Sequence, residues 1–204
     1  MNPSHTINVS NLPPYSISNR SLLWWGQVLM ATIECVMFLM LIAMYFYLRL
    51  SVDMWPPAGT QLPHVTVPSI ALIPLALSCL GAYWASEGAK KNSRRDILVG
   101  LIANVVLGWL FIILRFGEMR ELNFGWSTDV HGSIFWAILF LHTVDMIADL
   151  MFTVVLVIIF AVGYYGERQR TGVHVDSVVW YFLALIWLPL YVVLYWGPRI
   201  VGAP

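Results

Sequence analysis

His142, Asp145 and Asp149 stand at offsets of three and seven residues inside a stretch otherwise rich in Phe, Leu, Ile and Val. At about 100° per residue these offsets return close to one direction, so the three fall on a single stripe of a helix. Taken alone, an imidazole and two carboxylates on one face suit a borderline or hard divalent metal, with the remaining ligands drawn from another helix. Joined by Glu34, which lies deep in an earlier apolar stretch, the same stripe could instead relay protons, as chains of Asp, Glu and His do in pumps. The other histidines, His5, His64, His131 and His174, fall in stretches read as loops or tails. That leaves the metal reading without a second imidazole among the apolar stretches.

Glu34 carries two readings of its own. It is either a carboxylic acid kept neutral by burial and hydrogen-bonded to a neighbouring helix, with His142 or another polar group the expected companion, or a group that exchanges protons or meets a partner. Arg115, Glu118, Arg120 and Glu121 close another apolar stretch and read as a solvated, interfacial salt-bridge network. Cys35 and Cys79 have no second Cys or His at ligand spacing and read as small buried hydrophobes.

The elements that must position these groups are five apolar stretches. Of the 204 residues 59% are hydrophobic and only 11% charged, against about 25% charged in soluble domains, which points to a polytopic, all-α membrane protein. Residues 1–21, with Pro13 and Pro14, are expected to form a polar surface tail, and residues 22–204 a single five-helix transmembrane domain. The N-terminus lacks the charged and apolar regions of a signal peptide, so the first stretch is expected to remain as an anchor. That stretch, Leu22–Leu50, would reach roughly 43 Å as a helix, beyond the ~30 Å hydrocarbon core. Trp24 and Trp25 anchor its near end and Arg49 its far end.

The other spans read as Ser69–Gly88, Ile97–Phe116, Gly132–Tyr165 and Val178–Trp196. Trp55-Pro56-Pro57, Pro63 and Pro68 make the first connection an ordered, extended one. Pro74 and Pro189 interrupt the second and fifth spans, and Asn104 is the one strongly polar residue inside the third. Glu167, Arg168, Gln169 and Arg170 read as a loop before the fifth span.

With the N-terminus inside, the inner segments carry Arg20, Lys90, Lys91, Arg94, Arg95, Arg168 and Arg170, and the outer ones only Arg49, Arg115, Arg120 and Arg199. The positive-inside rule therefore expects a cytoplasmic N-terminus and, after five spans, a C-terminus outside. Zero formal net charge gives no sign of a nucleic-acid partner. The lack of internal repeats argues against an inverted-repeat transporter. No paired axial histidines, Cys cluster or glycine-rich nucleotide loop is present in the sequence. A metal-binding membrane subunit of a monooxygenase-like complex stays open on the His142 stripe.

From Trp25 almost to the C-terminus, an ordered set of short motifs resembles subunit III of the haem-copper cytochrome oxidases. The set is Trp25-Gly26, then Glu34, Trp55-Pro56-Pro57, Leu107-Gly108, Glu118 and Glu121, Gly132-Ser133 and His142. It closes with Trp180, Phe182, Trp187, Leu190-Tyr191 and Tyr195-Trp196-Gly197. The five-span form is similar to the bacterial version that lacks the first two of seven helices. The chain departs from the family pattern at Asp145, where a second histidine is usual, and at Asp149, where glycine is. It departs again at Tyr181 and Ala184, where His and Asp are usual.

The resemblance implies a V-shaped bundle and a subunit that carries no catalytic, cofactor-binding or metal-ligating residues of its own. It implies packing against catalytic subunit I, which holds haem and copper, and against other oxidase subunits in a bacterial inner membrane. It also implies a cleft for phospholipids, with Trp25, Glu34 and Trp55 beside it, and a supporting role in proton uptake and durability during O2 reduction. Service beside a nitric oxide reductase is the alternative. The departures suggest compensation, in which Asp145 and Asp149 on span four replace a carboxylate lost from span five.

Overall fold

A computed structural model describes residues 22–164 and 166–201; the expected N-terminal tail, with Arg20, lies outside the described residues, as does Tyr165. The described chain is all helix and connecting loop. It comprises α1 (Leu22–Leu50), α2 (Thr66–Lys90), α3 (Arg94–Glu121), α4 (Val130–Val162) and α5 (Glu167–Tyr191). A π turn, Val192–Trp196, and α6, Gly197–Val201, continue the line of α5. Five stretches are long and apolar enough to cross a membrane, the last of them Gln169–Ile200.

The helices run past the bounds expected from hydropathy, most of all at α5. It begins at Glu167, so residues 167–170 are helical and not the expected loop, and His174 and Asp176 lie within the helix. His131 likewise belongs to the first turn of α4.

α2 and α3 form the tightest pair, and the reason is in their small residues. Gly81, Ala85 and Ala89 recur every fourth residue on α2, and Gly100, Asn104 and Gly108 do so on α3. Such stripes let helix backbones approach closely in lipid, where hydrophobic burial gives little drive for association. A Cβ added to Gly81 would stand 2.8 Å from the Asn104 main-chain nitrogen, and one on Gly88 2.7 Å from that of Ile97. The turn between them places Asn92 at φ 58°, and the Ser93 hydroxyl caps α3 by accepting from the Asp96 N–H at 3.4 Å.

Polar contacts then fix α4 and α5 against this pair. The Trp180 indole donates to Ser78 Oγ at 2.8 Å, and the Ser177 hydroxyl to the Ala82 carbonyl at 3.0 Å. Arg94 donates through Nε and Nη2 to the Phe160 and Ala161 carbonyls, both at 3.0 Å, and so satisfies the last turn of α4. α4 starts under an Asp129 cap, whose carboxylate accepts from the Gly132 N–H at 2.6 Å. It ends at Gly163, φ 103°.

α1 is held differently. Its buried residues are Phe38 and Tyr45, and the partly buried ones packed on the core are Met37, Leu41, Ile42 and Leu48. All six lie in its second half. The half from Leu22 to Val36 gives nothing to the core, and it leaves a cleft between itself and α4 and α5 at the end of the bundle that carries the α2–α3 and α4–α5 loops.

Candidate functional site

The stripe His142, Asp145, Asp149 lies on one face of α4 as its spacing predicts, but two different environments divide it. At the level of His142, α5 closes over the helix; two turns further on, α1 has drawn away.

The closed part is centred on Arg115, which is 1% exposed, with Glu118 at 3%. Arg115 Nη1 donates to both carboxylate oxygens of Glu118, at 3.3 and 3.2 Å. The guanidinium carbon sits 3.5 Å from the centroid of the Trp187 ring and 5.0 Å from that of Phe111. Trp187 in turn lies 4.7 Å from the His142 ring at 35°. His142 is fully buried, and its Nε2 donates to the Leu183 main-chain oxygen at 3.1 Å, which fixes the proton on that nitrogen. A planar, weakly hydrated guanidinium is suited to an aromatic face out of water, and such a contact contributes about 2 kcal/mol when desolvated.

This geometry corrects two expectations. The cluster at the end of α3 is not one solvated network: Arg115 lies against Trp187 and Phe111 and Glu118 is buried beside it, while Arg120 and Glu121 are exposed. Nor does Glu34 pair with His142. The imidazole is occupied by Leu183 and packed between Phe38, 6.0 Å away, and Trp187, and among the described residues no hydrogen bond joins it to Glu34.

The open part is a cleft of about 490 Å³. α1 lines it with Leu23, Gln27, Met30 and Glu34, α4 with Asp145, Ala148, Asp149 and Phe152, and α5 with Gly172, Val175, Asp176, Val179 and Leu183. The α1 positions are three or four residues apart, and those of α4 and α5 keep the same period with the adjacent pairs Ala148-Asp149 and Val175-Asp176, so each helix turns one face to the cleft. Glu34 and Asp145 are half-buried, Asp149 is 9% exposed and Asp176 1%. The Thr153 hydroxyl donates to Asp176 Oδ1 at 3.0 Å. Among the described residues, Oδ2 of Asp145, of Asp149 and of Asp176 is buried without a hydrogen-bond partner, and the lining contains no Lys, Arg or His.

Asp176 is the member that sequence reasoning missed. It was placed ahead of the fifth span, yet Gly172, Val175, Asp176, Val179 and Leu183 keep helical spacing straight through that boundary. The spacing was the available signal. Span five thus supplies a carboxylate, Asp176, that lines the cleft together with Asp149, eight residues ahead of Ala184.

Of the expected lipid-cleft residues, only Glu34 lines this cleft. Trp25 is 53% exposed on α1 and packs edge-on against Trp24. Trp55 is buried at the opposite end of the bundle, where its Nε1 donates to Tyr45 Oη at 2.8 Å. There it also meets the His131 ring, 4.9 Å away, and His131 completes an aromatic cluster with Phe124 and Phe135. His174 lies 2.9 Å from Ser86 through Nδ1. Among the described residues no group of three or more His, Cys, Asp or Glu is placed to hold a metal ion, and Cys35 and Cys79 are both free thiols.

The family described as Cytochrome c oxidase subunit III matches residues 15–198, across all five membrane helices. Cytochrome c oxidase subunit 3 of Homo sapiens is 28% identical over 143 residues, 70% of this chain and 55% of the human one. The Gallus gallus protein of that name is 26% identical over 178 residues, 84% of this chain and 68% of its own. The Spodoptera frugiperda sequence is 26% identical over 144 residues, 70% of this chain and 98% of its own. The chain thus spans about half the length of the first mammalian relatives it matches. An integral multi-pass membrane protein, this chain belongs to the cytochrome c oxidase subunit III family.

Proposed function

We propose that the chain serves as the non-catalytic third subunit of a respiratory haem-copper oxidase in a bacterial cytoplasmic membrane. In this reading it packs against the catalytic subunit and other oxidase subunits, holds phospholipid, and sustains proton uptake and the lifetime of the enzyme during O2 reduction. Haem and copper belong to the catalytic partner. The observation that carries the reading is the family match running unbroken through all five membrane helices.

Two features of the chain support its finer parts. Lys90, Lys91, Arg94, Arg95 and Arg170 gather at the end of the bundle where the carboxylate cleft lies, and by the positive-inside rule that end faces the cytoplasm. Acids turned to a cleft on the proton-uptake side are placed to buffer protons for a neighbouring subunit. Large exposed side chains such as Leu29, Ile33, Met40 and Tyr47 along α1 suit contact with acyl chains or a neighbouring helix.

The experiment is purification from native membranes in mild detergent through a tag on this chain. The expected result is a haem-containing partner with O2-reducing activity, and an oxidase lacking this chain that loses activity sooner during turnover. Recovery of the chain with no haem partner would overturn the proposal, and a complex reducing nitric oxide but not O2 would reassign it.

A further inference from the structure

We infer that the carboxylate cleft is the seat of a partner transmembrane helix that delivers a basic side chain to Glu34, Asp145, Asp149 and Asp176. The inference rests on the chain working within a membrane complex, and it assigns that complex a contact of defined chemistry.

Depth is the first consideration. At 1.5 Å per residue, Asp145 lies roughly 23 Å from the first residue of α4, Asp149 roughly 20 Å from the last, and Glu34 roughly 18 Å along α1. A phospholipid headgroup stays at the interface, so a lipid in this cleft would lay acyl chains, not its ammonium, against these acids. A metal ion is no better matched, because among the described residues no three donors converge.

The second consideration is the orphaned oxygens. Asp149 and Asp176 are each more than nine-tenths buried, line the cleft from facing helices, and leave Oδ2 unpartnered. Buried polar groups in native proteins are satisfied as a rule. Among the described residues these two acids are offered one hydroxyl, Thr153, and no cation in the lining. A primary ammonium or guanidinium on an apolar stem supplies several donors and the missing charge together, and a transmembrane helix can carry it to this depth.

Glycine placement is the third. Gly81 and Gly88 are needed inside the chain, because a Cβ there would collide with backbone. Gly172, in the cleft, has no such reason, since its Cβ would meet only Leu156 Cδ2, at an ordinary 3.6 Å. Gly172 keeps its part of the cleft lining low, as close approach of another helix requires.

The test uses the intact complex, with a photo-activatable amino acid in place of Ala148 and mass spectrometry of the cross-linked peptide. The expected product is a second polypeptide, joined within an apolar stretch that contains Lys or Arg. Asp149→Asn with Asp176→Asn keeps the shape and removes the charge, and is expected to cut the yield roughly tenfold or more. Gly172→Leu fills the floor and should do the same. Cross-links to phospholipid alone, or to a peptide with no basic residue, would overturn the inference, as would a yield unchanged in the Asn variant. A complex without haem that still gives the basic peptide would refute the oxidase reading and leave this inference standing.

Discussion

Two regions of this chain bury ionisable groups at membrane depth, and they are neutralised in opposite ways. Around Arg115 the chain supplies the counter-charge: a carboxylate from the next turn of the same helix, an aromatic face from α5 and a histidine stacked beyond it, while Arg115 Nε and Nη2, His142 Nδ1 and Trp187 Nε1 are buried without a hydrogen-bond partner among the described residues. The cleft has four acids from three helices and a single hydroxyl. Neither arrangement is cheap, since an ionised group near the bilayer centre costs on the order of 2.5–3.5 kcal/mol even on lenient scales. The difference is one of charge: the Arg115 region pairs its cation with an anion of the same helix, and the cleft shows no cation among the described residues that line it.

The largest expected effect lies in the closed region. Arg115→Met leaves Glu118 buried and uncompensated and should destabilise by about 3–5 kcal/mol, whereas Arg115→Met with Glu118→Met should recover most of that loss. Thermal unfolding in detergent reads both, and a double variant as unstable as the single would break the picture of a self-contained pair. Second in size is the helix pair beneath it. A Cβ on Gly100 would fall on the backbone of Ala85, so Gly100→Ala should cost about 1–3 kcal/mol, while Gly172→Ala, whose Cβ would make only an ordinary contact with Leu156, should cost under about 0.5 kcal/mol. Equal losses at the two glycines would erase the distinction between internal and external packing.

Trp187→Leu should cost about 2 kcal/mol through the lost guanidinium contact, and it should also change the environment of His142, readable in the imidazole NMR signals. The smallest effect is expected in the cleft. Asp149→Asn should alter the unfolding of the chain itself by less than about 1 kcal/mol, because among the described residues no partner depends on the charge.

Much of this organisation was legible beforehand, and its limits have physical causes. Five membrane helices follow from uninterrupted apolar runs, and the shared face of His142, Asp145 and Asp149 follows from spacing. The start of α5 was hidden because Gln169–Ser177 is too polar to read as a span. Those residues are helical in lipid because tertiary partners satisfy them: Ser86 for His174, Thr153 for Asp176, the Ala82 carbonyl for Ser177. The enclosure of Arg115 was hidden for a related reason. Its position near the end of an apolar run suggests solvent, and only the fold brings Trp187 across it. Loss of the expected Glu34–His142 pair has the same origin, since spacing places residues on a face but does not say at what height a neighbouring helix departs.

The contrast between the two regions is tested most directly by one paired measurement on the purified complex. Asp149→Asn/Asp176→Asn and Arg115→Met/Glu118→Met are each scored for subunit composition and for the melting temperature of this chain. The account predicts that the cleft variant melts within about 3 °C of the parent, a shift of about 1 kcal/mol for a chain of this size, and loses a helix-bearing partner. It predicts that the Arg115/Glu118 variant keeps every partner. A cleft variant that retains all its partners, or the loss of the same partner from both variants, would contradict it.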